Sequence, residues 1–142
     1  NLDKIGKWKK AKILFLNLLK KSPNNAHTLN YVSYKLALKN QDLDLALRLI
    51  KQALIIDPDN GFFLDTLGWV EFKRKNFNEA VFFLEKSVSI LQKSSEVLDH
   101  LGDCYLMLNR KNEAIFEWKK AIKYETNVEI VKKIRDKLIR YE

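Results

Sequence analysis

Asp99, His100, Asp103 and Cys104 lie within one and a half turns of a helix and form the densest cluster of reactive side chains in the chain. His100 and Cys104 are four residues apart, a spacing that puts an imidazole and a thiol on one helix face, as a metal pair or a nucleophile with its base would need. Cys104 is the single cysteine of the chain, which excludes an intrachain disulfide and a multi-cysteine metal site. It falls where the local pattern wants a small packed residue, and a buried thiol is ordinarily inert. The pair therefore reads as structural. His27 stands alone at the start of a helical segment and reads as a polar face residue. The chain has no glycine-rich phosphate loop, no His-Glu-x-x-His and no Gly-x-Ser-x-Gly. The expectation is a chain that is not an enzyme in its own right, with no catalytic residue, no metal site, no cofactor and no small-molecule substrate.

Charge is the next candidate for chemistry. The chain carries 26 Lys and Arg against 18 Asp and Glu, a net charge of +8. The excess is concentrated at the start, where Lys4, Lys7, Lys9, Lys10, Lys12, Lys20 and Lys21 face a lone Asp3. Clustered lysines attract polyanions whatever their sequence. This stretch, however, contains no Arg and interleaves with an apolar row of Trp8, Ala11, Leu14, Phe15 and Leu18, the pattern of a solvated face on an amphipathic helix. Nucleic acid is not the expected partner. The longest uninterrupted apolar runs, such as Ile13-Leu14-Phe15-Leu16, are a few residues long, far short of the ~20 that span a bilayer.

The elements that carry these residues are helices. Apolar residues make up 46% of 142 residues, with only 4 Gly and 2 Pro, a composition that predicts an all-α domain with a real core. Leu67-Gly68, in Phe63-Leu64-Asp65-Thr66-Leu67-Gly68-Trp69, recurs 34 residues later as Leu101-Gly102, and Asn78-Glu79-Ala80 recurs as Asn112-Glu113-Ala114. Ala46 and Ala53 stand where Ala80 and Ser87, then Ala114 and Ala121, stand in later units, and Pro58 and Pro23 mark unit ends. The organisation reads as a half-unit at 1–25, full units at about 26–60, 61–94 and 95–128, and a closing amphipathic helix at 129–142. In the middle unit, Leu64, Leu67, Gly68 and Glu71 form one helical stripe, and Ala80, Leu84 and Ser87 form the facing one. Helices are expected at about 61–74 and 77–91, with Asn76 supplying the tight turn. The first residues read as a second helix without its first, which leaves Trp8 and Phe15 uncovered and offers a face for self-association.

A 34-residue period with Leu-Gly in one helix, Ala in the next and Pro at the end resembles the tetratricopeptide repeat. The resemblance implies an α-solenoid of stacked antiparallel helix pairs that binds protein. The chain departs from the family pattern at Leu18, Ser33, Glu71, Ser87, Gln92 and Thr126. The later repeats further resemble those of proteobacterial tetratricopeptide proteins, some of them envelope lipoproteins that act as adaptors. That resemblance leaves the bacterial cytoplasm and the envelope both open. In the family, the second, fifth, ninth, twelfth and thirteenth places of each unit line a concave groove. Carried over, these places include Asn30 and Tyr34, then Phe62, Asp65, Trp69 and Phe72, then Asp99, Asp103 and Leu106. Trp69 is the expected central anchor, and Asp65, Asp99 and Asp103 are expected to form a negative strip for a partner segment with basic and apolar side chains. The Lys, Arg and Asn set with which some members grip a peptide carboxylate is absent, since the fifth places hold Asn30, Asp65 and Asp99 and the sixth Tyr31, Thr66 and His100.

Overall fold

The computed structural model describes residues 2–142, with side chains from Gly6 onward, so the side chains of Asp3 and Lys4 lie outside the described residues. Eight helices follow one another: α1 (Leu2–Lys21), α2 (Ala26–Leu38), α3 (Leu43–Ile56), α4 (Gly61–Lys73), α5 (Phe77–Ile90), α6 (Ser95–Met107), α7 (Lys111–Tyr124) and α8 (Val128–Tyr141). No strand occurs among the described residues. Helices α2 and α3, α4 and α5, and α6 and α7 form tight pairs. Each pair stacks on the next through α3 on α4 and α5 on α6, α8 closes on α7, and the first helices α2, α4 and α6 lie side by side.

The local chemistry sets the boundaries. First helices begin at polar caps. Asn25 accepts from the Thr28 amide at 3.1 Å, Asn60 from the Phe62 and Phe63 amides at 2.9 and 3.2 Å, and Ser94 from the Val97 amide at 3.5 Å. These bonds satisfy donors that a helix start otherwise leaves open. Inside each pair the chain reverses through a left-handed residue: Asn40 (φ 53°), Lys75 (φ 68°) and Asn109 (φ 59°). The sequence points to Asn76 for the middle turn, but Lys75 holds that conformation and Asn76 has φ −91°. Asn and Asp tolerate this region better than Lys does, so the period marks the turn while residue preference misplaces it by one. The extra residue of the first turn adds a second left-handed position at Asp42 (φ 43°).

Close approach inside the pairs rests on small residues. A methyl group added at Gly68 would stand 2.6 Å from Leu84 Cγ, and one at Gly102 would run into the indole of Trp118. Ala46, Ala53, Ala80, Ala114 and Ala121 are fully buried on the facing helices. Two departures from the family pattern are accommodated by hydrogen bonds. Ser33, in place of Gly, donates to the Ala46 carbonyl at 2.7 Å, and Ser87, in place of Ala, donates to the Gly61 carbonyl at 2.7 Å. A buried hydroxyl without such an acceptor would cost about 1–3 kcal/mol. Glu71, in place of Tyr, is buried, which by itself would raise its carboxyl, but hydrogen bonding to Glu79 and to Arg74, 2.6 Å away, holds it below the usual range. The core divides into one cluster over α1–α4 and another over α5–α8, and Phe72 packs against both.

The ends differ from expectation in one important respect. Trp8 is not left uncovered: it is only 8% exposed, its Nε1 donates to Gln41 at 3.2 Å, and Phe15 meets Tyr31 edge-on at 4.8 Å. Trp8 is therefore not the uncovered side chain that the sequence suggests. The side of α1 that faces outward carries Ile13, Leu14 and Leu18 instead. Alternate turns of α1 are apolar on both sides, so periodicity alone does not say which side packs on α2. At the other end, Ile134 and Leu138 of α8 are buried and Tyr141 is half-buried, while Ile130 stays exposed.

Gly102→Ala should lower folding free energy by about 1–2 kcal/mol, because overpacking against the fully buried Trp118 costs ~1–3 kcal/mol and the better helix propensity of Ala returns at most ~1. Urea unfolding measures it. An unchanged or raised midpoint would contradict the close-approach account.

Candidate protein-binding groove

The side-by-side first helices α2, α4 and α6 bring residues one repeat apart into contact. At their centre, Trp69 of α4 is stacked between Phe72, 4.4 Å away and nearly parallel at 5°, and His100 of α6, 3.9 Å away at 17°. Only 8% of Trp69 is exposed. The expectation of an open aromatic anchor at this place is thus corrected. The side chain at the sixth place of the next unit, His100, covers one face of the indole, and Phe72 covers the other. Its Nε1 has no hydrogen-bond partner.

His100 is fixed by more than stacking. Its Nδ1 lies 2.9 Å from Asp65 Oδ1, both side chains being buried, and its ring lies 6.5 Å from that of Tyr34. Burial alone would lower the imidazole pKa, but the charge and hydrogen bond of Asp65, with Glu96 and Asp99 nearby, raise it above the ordinary value. Tyr34 of α2 spans a full repeat to donate to Glu96 Oε2 at 3.0 Å, and burial together with Glu96 pushes its hydroxyl pKa up. Three first helices are therefore joined by one chain of side chains: Tyr34 with Glu96, and Asp65 with His100 stacked on Trp69.

The negative strip is corrected too. Asp65 is engaged by His100. Lys137, projecting from α8, lies 2.8 Å from Asp99 Oδ1 and 2.9 Å from Asp103 Oδ1, and Trp118 Nε1 also donates to Asp103 at 3.2 Å. Burial and the neighbouring Asp99 charge still hold the Asp103 carboxyl above its usual range, while Asp103 and Asp99 outweigh burial to raise the Lys137 ammonium. Each carboxylate of the expected strip already has an internal partner, His100 for Asp65 and Lys137 for Asp99 and Asp103. Sequence reading misses Lys137. Its place one helical turn after Lys133 and between Ile134 and Leu138 marks it as flanking the buried face of α8, which is the signal that could have found it.

The remaining expected residues divide. Asn30, Tyr34, Phe72 and Leu106 are half-buried along the first helices, with Leu38 and Met107 exposed beside them. Phe62 does not join the aromatic stack. It lines a shallow depression with Ile90, Leu91, Gln92, Lys93 and Ser94 at the α5–α6 connection. His27 is exposed and meets Phe63 edge-on at 5.8 Å. Cys104 is fully buried, and burial pushes its thiol pKa up, so it stays protonated and unreactive. No group of three His, Cys, Asp or Glu side chains suited to a metal ion occurs among the described residues. Nor, among them, is any helix long and apolar enough to cross a membrane.

No family model matches the chain. Among curated proteins, the TPR repeat-containing protein PA4667 of Pseudomonas aeruginosa is 29% identical over 86 residues, 61% of this chain and 14% of that protein. The mitochondrial import receptor subunit TOM70 of Homo sapiens is 32% identical over 92 residues, 65% of this chain and 15% of the receptor. The chain thus spans about one-seventh of the length of the curated relatives it matches. Among solved structures, TTC0263, a thermophilic TPR protein of Thermus thermophilus, superposes with a TM-score of 0.80 at 20% identity, covering 96% of this chain and 75% of that one. MamA superposes with a TM-score of 0.74 at 19% identity, covering 98% and 86%.

Two measurements check this geometry. Trp69→Ala should cost about 3–5 kcal/mol of stability, as removal of a packed indole does; a loss under ~1 kcal/mol would return Trp69 to the surface. Because the folded pKa of His100 is raised, its pairing stabilises the protein fully below the unfolded value of ~6.5, and that contribution is lost as pH rises through the folded value. The stability difference between the wild type and Asp65→Asn should therefore shrink as pH rises from neutral into the alkaline range. A pH-independent difference would rule the pairing out.

Proposed function

Because this chain is an array of tetratricopeptide repeats, we propose that it is a noncatalytic interaction scaffold that holds a segment of another protein along its first helices. The observation that carries this reading is the pre-assembled row of half-buried Asn30, Tyr34, Phe72 and Leu106, locked by the Tyr34–Glu96 and Asp65–His100 contacts. A surface already ordered loses little entropy when a partner settles on it. Half-exposed aromatics with a polar tip are the side chains that most often dominate such contacts.

Roles within the groove follow from burial. Tyr34, Phe72 and Leu106 offer the contact surface, with the exposed Leu38 and Met107 extending it, and Phe62 serves a separate depression. Asp65 and Trp69 stand behind that surface and hold its shape. Asn30 Oδ1 is buried and without a hydrogen-bond partner, and it can accept from a partner's backbone amide once the side chain moves out. A basic side chain on the partner competes with Lys137 for Asp99 and Asp103, so the acidic pair selects orientation more than it adds affinity. The noncatalytic part of the reading is supported by His100 and Cys104, whose reactive atoms are taken up by Asp65 and by burial. The relatives' printed names point the same way, since TOM70 is a receptor subunit.

Selection from a random peptide library on the immobilised chain tests the proposal. Peptides rich in aliphatic and aromatic residues with nearby Lys or Arg should be enriched. Tyr34→Ala and Phe72→Ala should each weaken them by about 1–2 kcal/mol, roughly 5- to 30-fold, as loss of an aromatic contact does. Peptides whose affinity ignores both substitutions would refute the groove as the binding site.

A further inference from the structure

The outward side of the second helices carries an aromatic pair that the repeat itself sets out. Phe82 of α5 is 53% exposed and Phe116 of α7 is 60% exposed, at the same place in successive units. One turn on from each is a lysine, again in register. Lys86 Nζ lies 4.5 Å from the centre of the Phe82 ring, and Lys120 Nζ lies 5.2 Å from that of Phe116. Ala80 and Leu84 turn toward Gly68 of α4, and Phe82, two residues from each, stands about 200° around the helix from them. The rings therefore point away from the first helices. Helix α5 is packed between α4 and α6, and α7 between α6 and α8, so repeats stacked at either end of the array do not pass over this side.

Charge on this side is sorted by sign. The carboxylates are taken up from within: Glu85 accepts from the Tyr105 hydroxyl at 2.8 Å, Arg110 holds Glu113 at 2.6 Å, and Glu117 is buried with Lys120 3.8 Å away. The cations are not. Lys86, Lys123 and Arg48, which takes the place of Phe82 one unit earlier, are exposed and form no ion pair among the described residues.

We propose that Phe82 and Phe116, with Lys86 and Lys120, dock an acidic segment of another protein that carries apolar side chains between its carboxylates. Charge complementarity selects this occupant, and the placement of the ammonium groups narrows it. A carboxylate settling on an ammonium that already rests on a ring keeps the cation–π contact and adds an ion pair, while an apolar side chain covers the exposed ring edge. A nucleic-acid base cannot stack on a ring face that an ammonium occupies. A bilayer takes apolar side chains below the level of the flanking lysines, whereas here ring and ammonium stand at one level. A second copy of this chain would set lysines against lysines. The face lies on the second helices, apart from the groove of α2, α4 and α6, so each can fail without the other.

The test uses a short fluorescent peptide in which Glu alternates with Leu and Phe, a second with Lys for every Glu, and a third with Ser for every Leu and Phe. The first should bind saturably, with Kd on the order of 10–100 μM for so small a patch, and the other two at least roughly ten-fold more weakly. Phe82→Ser and Phe116→Ser, at exposed positions, should leave the circular dichroism and melting temperature unchanged and each weaken the first peptide about five-fold or more. Lys86→Glu with Lys120→Glu should invert the preference between the acidic and the basic peptide. Tyr34→Ala, in the groove, should leave binding as it is, and a loss there would move the peptide to the groove and overturn the proposal. Absence of saturable binding, equal binding of the three peptides, or binding indifferent to both phenylalanine variants would overturn it too. So would single-stranded DNA or phosphatidylglycerol vesicles bound by the wild type and released by those variants, or a dimer in light scattering that they dissolve.

Discussion

Two helices can lie as close as α4 with α5, or α6 with α7, only where one of them presents almost no side chain at the crossing. Gly68 under Leu84 and Gly102 under Trp118 meet that constraint, and Ser33 meets it with a hydroxyl that reaches the Ala46 carbonyl. Once the pairs are this tight, the separation of neighbouring first helices follows, and with it every contact of the groove. Asp65 reaches His100 across 35 residues of sequence and Tyr34 reaches Glu96 across 62. The same constraint explains why Phe72 can belong to both halves of the core. A solenoid has few contacts distant in sequence, so one residue that bridges clusters matters more here than it would in a globule.

The polar chemistry of the first helices is directed inward. Three carboxylates that could draw a basic partner are answered from within by His100 and Lys137. A buried or half-buried carboxylate without a cation is costly, and the repeat puts two of these three, Asp99 and Asp103, one turn apart on α6. The closing helix therefore does more than cover apolar surface: Lys137 makes the acidic pair tolerable. Along the first helices the half-buried Tyr34, Phe72 and Leu106 are left as the surface proposed to meet a partner. Specificity in such a surface comes from shape first and charge second.

Much of this is legible in the residues. The 34-residue period fixes which positions pair within units, and small residues at the Leu-Gly and Ala places mark the crossings without any need of coordinates. The site is less legible, for identifiable reasons. Helical periodicity assigns a residue to a face but does not say what the adjacent repeat lays over that face, so Trp69 reads as open although His100 covers it. His100 itself reads along its own helix, toward Cys104, whereas its partner Asp65 sits one helix away. Lys137 reaches the acidic pair through a four-carbon stem from a helix that the groove positions do not include. On α1, Trp8 and Phe15 compete with Ile13, Leu14 and Leu18 for the inner side, and hydropathy does not rank the two sets. Packing against Tyr31 and Gln41 does.

The central claim is that the middle of the first-helix row is an internally paired assembly of Asp65, His100 and Trp69 and not an open acidic strip. The chain has two histidines, and only His100 is buried, so a pH titration of the imidazole resonances by nuclear magnetic resonance resolves His100 directly. The account predicts that His100 titrates above ~6.5, the ordinary value for histidine, and that its resonances are displaced by the ring current of the stacked indole. A midpoint at or below that value, with shifts like those of His27, would contradict it.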